Sequence, residues 1–111
     1  MLTEAELLEW IKEAVNAGNI RTRIHATRHM FEEGFSGQDI MTALTGKLRL
    51  LEHYPDEARC LVMGYFQISE KVPCPLHLVI EYSRGTGIDI VTAYLPQKPW
   101  WLTPWQRGKA K

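Results

Sequence analysis

The spacing of apolar residues changes once along this chain, near residue 47, and this change restricts the folds that it can adopt. Before that point, apolar residues recur every three to four positions, as Leu7, Ile11 and Val15 do, which is typical of helices. After it come short segments with β-branched or aromatic residues and partial alternation, at 48–54, 60–66, 76–82 and 88–94. Helices that precede strands predict an α+β fold, with N-terminal helices followed by an antiparallel sheet of about four strands.

Local signals place the ends of the first helix. Thr3 followed by Glu6 is a capping-box pattern, which marks a helix start. Gly18 is a stop signal, so the first helix is predicted over 4–17. Residues 20–24, which follow it, have the composition of a short extended segment.

Glycines also end the second and third helices. The second is predicted over 25–33 and ends at Gly34, and the third begins at Ser36 and ends at Gly46. Between the second and third predicted strands, the link 67–75 contains two prolines, so we predict a loop there.

The length of 111 residues predicts one domain, 1–111. Within it we distinguish an N-terminal helix over 1–18, a core over 20–96 and a tail over 97–111 that is rich in tryptophan and proline. The spacing of the prolines argues against a helix in the tail.

Charge and cysteine content exclude some classes of protein. The formal net charge is zero, which argues against a strong non-specific attraction to nucleic acid but leaves a local basic patch open. Cys60 and Cys74 lack the spacing of metal ligands or of a disulfide framework, so we expect reduced thiols in a cytoplasmic protein. No apolar segment approaches the length of a membrane span, about 18 residues. Acidic residues at the start argue against a targeting segment, so no membrane association is predicted.

The segment RTRIHATRHMFEEG, residues 21–34, gathers arginines and histidines in a neutral chain. His25 and His29 are four residues apart and would share one face of a helix, as in two-histidine metal sites. No third ligand is evident, and no glutamate follows His25 as in zinc proteases. We therefore predict no metal and no cofactor, and we interpret His29 as a surface residue.

His25 and Arg28 together suggest phosphodiester chemistry without a metal. His25 lies near the start of the second predicted helix, where the positive helix end disfavours imidazolium and favours a neutral base. Arg28, one turn later, offers a guanidinium fork for phosphate oxygens. The alternative is a capping or half-buried histidine beside a solvated arginine.

A third histidine lies in the strand segment LHLVIEY. Alternation places Leu76, Leu78 and Ile80 on the more apolar face, which should meet the helices. His77 then lies on the opposite, more open face of the sheet. Simple solvent exposure is the alternative interpretation of this histidine.

The next strand raises a question of register. A symmetric hairpin around 83–87 would put Thr92 and Tyr94 on the face of Leu78, away from His77. Either a β-bulge shifts the register, or Tyr94 is a core residue with its hydroxyl at the rim.

Four segments considered together resemble a known family: IHATRHMFEEGFSGQDIMTAL, EHYPDEARCLVMG, PLHLVIEY and DIVTAYLP. They are similar, over residues 20–96, to the domain-of-unknown-function family 4258. The resemblance implies a bacterial protein with the fold of the barnase–colicin–RelE-like ribonuclease toxins, and a zinc-finger antitoxin as partner. The polar positions of the family correspond here to His25, Arg28, Glu33, His77, Thr92 and Tyr94.

The functional hypothesis that follows is a metal-independent ribonuclease-like toxin module that acts on RNA. The 2′-hydroxyl of RNA, which DNA lacks, would attack the adjacent phosphate. His25 and His77 would serve as base and acid, Arg28 would stabilise the charged phosphorane, and Tyr94 would orient a base or a phosphate. Four further residues are assigned to substrate binding: Arg21, Arg23, Glu33 and Thr92.

The alternative is a non-catalytic interaction protein of the same fold. The tail carries Trp100, Trp101 and Trp105 among prolines, and exposed tryptophans are typical of protein interfaces. The partner would be an antitoxin or a second copy of the chain. A simpler interpretation is that these tryptophans fold back and cover the sheet or the first helix.

Overall fold

The computed structural model describes residues 2–69, 72–83, 85–97 and 101–108. The helices of this part are α1 (Glu4–Asn16), α2 (Ile24–Glu33) and α3 (Gly37–Thr45), and a 3₁₀ turn spans Pro55–Glu57. The strands are β1 (Ile20–Thr22), β2 (Arg49–Tyr54), β3 (Arg59–Ser69), β4 (Val72–Glu81), β5 (Ile88–Tyr94), β6 (Trp101–Thr103) and β7 (Gln106–Arg107). The order of helices before strands confirms the predicted α+β class.

Helix ends are set by the predicted local signals. The Thr3 hydroxyl accepts a hydrogen bond from the Glu6 amide at 3.1 Å, and the Glu6 carboxylate accepts one from the Thr3 amide at 2.8 Å. This reciprocal arrangement is the predicted capping box. Gly34 ends α2 with a φ of 79°, a left-handed conformation that glycine adopts without strain.

The main sheet has the order β1-β5-β4-β3-β2. Strands β2 to β5 form the predicted antiparallel meander. The edge strand β1 pairs with β5 in parallel, Ile20 opposite Ile88, so the sheet is mixed and the expectation of a wholly antiparallel sheet is wrong. The extended segment predicted over 20–24 is confirmed for residues 20–22, whereas Ile24 already begins α2. The parallel pairing with β5 had no local signal, because the paired residues of the two strands lie 68 residues apart in the chain.

The predicted loop at 67–75 is wrong, because β3 and β4 continue through most of it as a long hairpin. Pro73 and Pro75 both lie within β4. Strand β5 ends at Tyr94, which lies opposite His77 of β4. Beyond His77, β4 therefore has β3 as its only sheet neighbour in the described part of the chain. A proline has no N–H to donate. It is tolerated in this part of β4 because no second strand there needs that hydrogen bond.

The core lies between the helices and one face of the sheet. Helix α2 packs on β5, and α3 packs on β3. A side chain at Gly64 would place its Cβ 2.6 Å from the carbonyl oxygen of Ala43, so only glycine lets α3 approach β3 this closely. The core includes Leu7 and Ile11 from the apolar spacing of α1, and Leu76, Leu78 and Ile80, which were predicted to face the helices.

Within the described residues, the other face of the sheet carries no helix, and we call it the helix-free face. It presents alternate residues of β3 and β4, among them Leu61, Met63 and His77, which are buried outside the main core cluster. The hairpin β6–β7 of the tail folds back onto this face through Pro104, whose carbonyl contacts His77. The tail therefore covers the sheet, as in the simpler interpretation of the tail.

The tail tryptophans are only partly described. Trp105 is exposed by 47%. Trp100 and the side chain of Trp101 lie outside the described residues. None of the helices in the described part of the chain has the length and apolar character needed to cross a membrane.

Candidate functional site

A β-bulge brings Tyr94 to the helix-free face. Val79 of β4 lies opposite Thr92, whereas the next residue, Ile80, lies opposite Ile90, so β5 has one residue more than β4 at this point. The extra residue reverses the alternation, and Tyr94 becomes the direct partner of His77. Of the two sequence-based alternatives for Tyr94, the bulge is therefore confirmed.

His77 is enclosed on this face, with no exposed surface. Its Nε2 lies 2.5 Å from the carbonyl oxygen of Pro104, and its Nδ1 lies 3.2 Å from the hydroxyl of Tyr94. Because a carbonyl only accepts, Nε2 carries the proton and Nδ1 accepts from Tyr94. The prediction that His77 faces away from the helices is correct, but the expectation of an open face is wrong, because the tail covers it.

Burial determines the charge of this histidine. Removal from water lowers the pKa of His77 below its ordinary value of 6.5, and the Pro104 carbonyl opposes this only in part. The imidazole is therefore neutral at physiological pH. A neutral imidazole can remove a proton from a hydroxyl, which an imidazolium cannot do.

A second bulge brings Glu52 to the same face. The pairing of β2 with β3 shifts between Leu50 and Glu52, which puts Glu52 opposite Leu61. The carboxylate of Glu52 accepts two hydrogen bonds from Arg107, at 2.7 and 2.9 Å, and one from the hydroxyl of Tyr54. The Arg107 guanidinium is the main cause that lowers the pKa of Glu52.

Glu52 and Arg107 were not among the site residues predicted from the sequence. Regular alternation along β2 would place Glu52 with Leu50, toward the core. Because the bulge was not evident from the sequence, the position of Glu52 on the helix-free face was not predicted. Arg107 belongs to the tail, and nothing in its sequence context indicates where the tail folds. The signal that remained was a glutamate in an otherwise apolar strand, LRLLEHY.

Four side chains cross the helix-free face in one row. Arg49 pairs with Met63, Met63 with His77, and His77 with Tyr94, on four adjacent strands. Neighbouring strands lie about 4.8 Å apart, so the backbone positions of Arg49 and His77 are about 10 Å apart. The Arg49 guanidinium also lies over the ring of Trp105, 5.8 Å from its centroid.

The predicted substrate-binding arginines belong to an ion-pair cluster on the helix-free face. Arg23 donates to Asp89 and Glu81, both at 2.9 Å, and Arg21 donates to Asp89 at 3.2 Å. Arg59 also donates to Glu81, at 3.2 Å. The cluster lies at the Glu81–Asp89 pair, four residues along β4 from His77. Arg21 and Arg23 thus share a face with His77 but already have carboxylate partners.

Thr92 lies on the same face between this cluster and His77. Its backbone is opposite Val79, two residues before Tyr94. The hydroxyl of Thr92 is buried and has no hydrogen-bond partner among the described residues. A buried hydroxyl without a partner is costly, so this position can accept or donate a hydrogen bond to a group that is absent from the structure.

The other predicted residues lie on α2. His25 and Arg28 are exposed, and the ring of His25 lies 4.9 Å from that of His29. Ala26, on the same helix, is part of the core on the helical face of the sheet. The sheet therefore separates the helix layer from His77, and no described contact joins His25 or Arg28 to it.

Glu33 has a structural contact at the end of β5. One carboxylate oxygen accepts from the Leu95 amide at 2.7 Å, and the other lies 3.0 Å from Nδ1 of His29. Leu95 directly follows Tyr94, so Glu33 fixes the backbone next to the site rather than entering it.

The structure thus brings together His77, Tyr94 and Thr92 from the predicted set, and adds Glu52 and Arg107. Comparison with protein families places this region in a known group. The family model described as domain of unknown function, DUF4258, matches residues 22–95. The chain belongs to the DUF4258 family. Searches of the curated proteins and of the solved structures returned no match.

One part of the site lies within the DUF4258 domain, and the other part lies beyond its C-terminal limit. Arg49, Glu52, His77 and Tyr94 lie within the matched residues. The hairpin β6–β7, which supplies the covering contacts, lies beyond the match. In the described ranges of this DUF4258 chain, no three histidine, cysteine, aspartate or glutamate side chains are arranged to hold a metal ion.

Proposed function

We propose that this protein is a metal-independent ribonuclease-like module, the toxin of a toxin–antitoxin pair, and that it cleaves RNA on the helix-free face. The observation that carries the proposal is the neutral His77, which contacts Tyr94 at 3.2 Å and lies in one row with Arg49. General-base catalysis at a phosphodiester needs a proton acceptor, which a neutral imidazole supplies, and a nearby cation for the charge on the phosphate.

In the proposed reaction, His77 removes the proton from the 2′-hydroxyl of a ribose. The 2′-oxygen forms a bond to the adjacent phosphorus, and the bond from phosphorus to the 5′-oxygen breaks. The resulting imidazolium then gives its proton to the departing 5′-oxygen, so protons and bonds balance. DNA lacks the 2′-hydroxyl and is not a substrate.

Each neighbour of His77 has a role in this scheme. Tyr94 holds the ring, and since a tyrosine hydroxyl both donates and accepts, it serves either tautomer of the histidine. Arg49 supplies positive charge for the phosphorane, and a planar guanidinium matches two phosphate oxygens at once. Thr92 offers its unpaired hydroxyl to the substrate.

The sequence-based hypothesis also gave an acid–base role to His25 and a charge-stabilising role to Arg28. These residues lie in the helix layer, so their participation requires RNA that reaches around the edge of the sheet. Their roles stay predictions, which the variants His25→Ala and Arg28→Lys test in the same assay.

The test is cleavage of a mixed-sequence RNA, in chelator, by the full chain. It compares wild type, His77→Gln, Tyr94→Phe and the control His29→Ala. Because the tail covers His77, each is also made in a full-length background with Trp105→Ala and Arg107→Gln. We expect His77→Gln to lose about 10²–10⁴ in rate, and His29→Ala to retain wild-type rates.

Three outcomes would contradict the proposal. RNA that stays intact with wild type and with the opened background, with or without metals, excludes a ribonuclease. Equal cleavage by His77→Gln and wild type excludes the assigned base. Cleavage that vanishes in chelator would show that the reaction needs a metal.

A second candidate, a non-catalytic interaction module, is favoured by the exposed face of α2. Ile24 is 78% exposed and Phe31 is 88% exposed. They are seven residues apart and so share a helical face, with Arg28 between them. Large apolar side chains exposed on one stripe are typical of a surface that a partner covers.

This candidate is tested by the mass of the protein in solution and by its binding to a neighbouring gene product. The double variant Ile24→Ser, Phe31→Ser should lose the second copy or the antitoxin while keeping its fold. Deletion of 98–111 tests whether the tail shares in the interface. An unchanged complex in both variants would exclude these two surfaces.

A further inference from the structure

Three described residues of the tail hairpin each make a contact with the helix-free face that bears on the site. The contacts are Pro104 carbonyl to His77, Trp105 ring to Arg49, and Arg107 guanidinium to Glu52. All three face residues lie within the matched DUF4258 domain, and all three hairpin residues lie outside it.

Two of these contacts have the chemistry of bound nucleotide. A flat aromatic ring over a guanidinium is how arginine planes hold unstacked bases in RNA complexes. An acceptor oxygen at Nε2 of His77 is what a ribose hydroxyl or a phosphate would present. Trp105 and Pro104 therefore stand where a base and an adjacent oxygen would bind.

The surface continues from Arg49 into a cleft of about 440 Å³. Met63, buried and next to His77 in the row, lines it together with the half-exposed ring of Tyr65. Lys47 adds a second cation, and Glu4 is the one carboxylate among the lining residues. A cleft lined by an aromatic ring and two cations suits a base and its phosphate better than an apolar ligand.

We propose that Arg49, Tyr65 and Lys47 form a nucleotide-binding subsite beside His77, and that the tail hairpin competes with nucleic acid for it through Trp105. The subsite rests on the proposed ribonuclease function, because it names where the substrate next to the cleaved phosphate binds. It takes single-stranded nucleic acid, since a base must leave its stack to reach Arg49 and Tyr65.

The hairpin also holds His77 in an inactive tautomer. With the Pro104 carbonyl as acceptor, the proton sits on Nε2 and the free pair of Nδ1 accepts from Tyr94. Once the carbonyl leaves, Nδ1 can carry the proton and donate it to the Tyr94 oxygen. Nε2 then presents a lone pair to the substrate, which the base role requires.

Binding can be measured separately from cleavage. The probe is a fluorescent mixed-sequence hexanucleotide of 2′-O-methyl RNA, which has no free 2′-hydroxyl and cannot react. Its affinity for the full chain is read by anisotropy. We expect Arg49→Ala and Tyr65→Ala each to weaken binding about 5- to 100-fold, the range for loss of one stacking contact. Trp105→Ala should strengthen binding, because it removes the competing ring.

Two control variants match these changes. Phe31→Ala removes an exposed aromatic ring away from the helix-free face, since Phe31 of α2 is 88% exposed. Lys12→Ala removes an exposed cation of α1. Both should bind the probe like wild type, and thermal unfolding should show that all variants are folded.

The two proposals fail in different ways. Probe affinity that is unchanged in Arg49→Ala and Tyr65→Ala, or not increased in Trp105→Ala, overturns the subsite even if RNA is cleaved. The same holds if neither wild type nor Trp105→Ala binds the probe. Expected affinities without any cleavage of ordinary RNA would keep the subsite and reject the ribonuclease.

Discussion

Tyr94 lies directly opposite His77 because β5 carries one residue more than β4 between them and the Glu81–Asp89 pair. The hydroxyl reaches Nδ1 of the imidazole at 3.2 Å, and the ring centroids are 5.1 Å apart. A regular hairpin would point the phenol into the core. The contact between these two side chains thus depends on an irregularity in the backbone.

Burial of a neutral imidazole makes stability depend on pH. The pKa of His77 is lowered from 6.5 by burial, whereas the unfolded chain regains the ordinary value. As the pH falls below 6.5, the unfolded chain binds a proton that folded His77 does not, so the free energy of unfolding decreases. Above pH 6.5 neither state binds this proton, so the burial of His77 then causes no loss in the free energy of unfolding.

We therefore expect His77→Gln to lose less stability than wild type between about pH 7 and about pH 5. Urea denaturation at several pH values measures this, with His29→Gln as the variant that removes an imidazole elsewhere. Parallel curves for wild type and His77→Gln would show that His77 is not neutral and enclosed in solution.

Gly64 should not tolerate any side chain. In Gly64→Ala the new Cβ would lie 2.6 Å from the Ala43 carbonyl oxygen, so α3 must move away from β3. We expect a loss of about 1–3 kcal/mol in the free energy of unfolding, the usual cost of overpacking. Gly37→Ala is the matched control, since nothing lies within 4 Å of its added Cβ. Equal stability of both variants would contradict the close packing.

Glu33 should contribute stability through its bond to the Leu95 amide, at 2.7 Å. Glu33→Ala leaves that amide without this acceptor, and we expect a loss of about 1–3 kcal/mol. Glu33→Gln keeps an oxygen acceptor and should recover most of it. Glu32→Ala, at an exposed position of the same helix, should change stability by less than about 0.5 kcal/mol. Hydrogen exchange at Leu95 gives a second readout, because loss of the bond should speed exchange there.

The two cysteines should differ in reactivity. Burial raises the pKa of the Cys60 thiol to about 12, and Cys60 has no exposed surface. Cys74 is partly exposed, and partial burial raises its pKa as well. Since the thiolate is the reactive form, native protein should be alkylated slowly at Cys74 and not at Cys60. Mass spectrometry should find both modified in denaturant, and native labelling of Cys60 would show that the core opens.

The features that sequence could predict are those with a local cause. The Thr3–Glu6 capping box and the stop at Gly34 each involve residues a few positions apart. Alternation in β4 correctly placed Leu78 in the core and His77 on the other face. These signals act within one helix or one strand, so they survive whatever the rest of the chain does.

The features that it missed depend on a partner strand. Both bulges are properties of a pair of strands, and neither LRLLEHY nor IDIVTAY shows one alone. For this reason Glu52 was missed and Tyr94 was left between two alternatives. The prolines at 73 and 75 were interpreted as loop residues because the sequence does not show that β5 ends before reaching them.

Within the candidate site, the sequence predicted several of the residues but not which of them lie close together. His77, Tyr94 and Thr92 share one face, whereas His25 and Arg28 lie in the helix layer. A family motif shows which residues lie near one another in the sequence. It does not show on which side of the sheet each of them lies, because helices and strands of one motif can lie on different layers.

The parallel pairing of β1 with β5 also governs when the protein can fold during synthesis. Arg21 and Asp89, which form an ion pair across these strands, are 68 residues apart in the chain. At about 5–20 residues per second, a ribosome needs roughly 3–14 s to make the partner of β1 after β1 itself. Helix α2 packs on β5, so its packing partner is synthesised equally late. An isolated helix of this length has only marginal stability. Strand β1 and helix α2 therefore lack their sheet partner until β5 has been made, and ribosome stalling before residue 88 would leave a chain without a sheet edge for β1 to join.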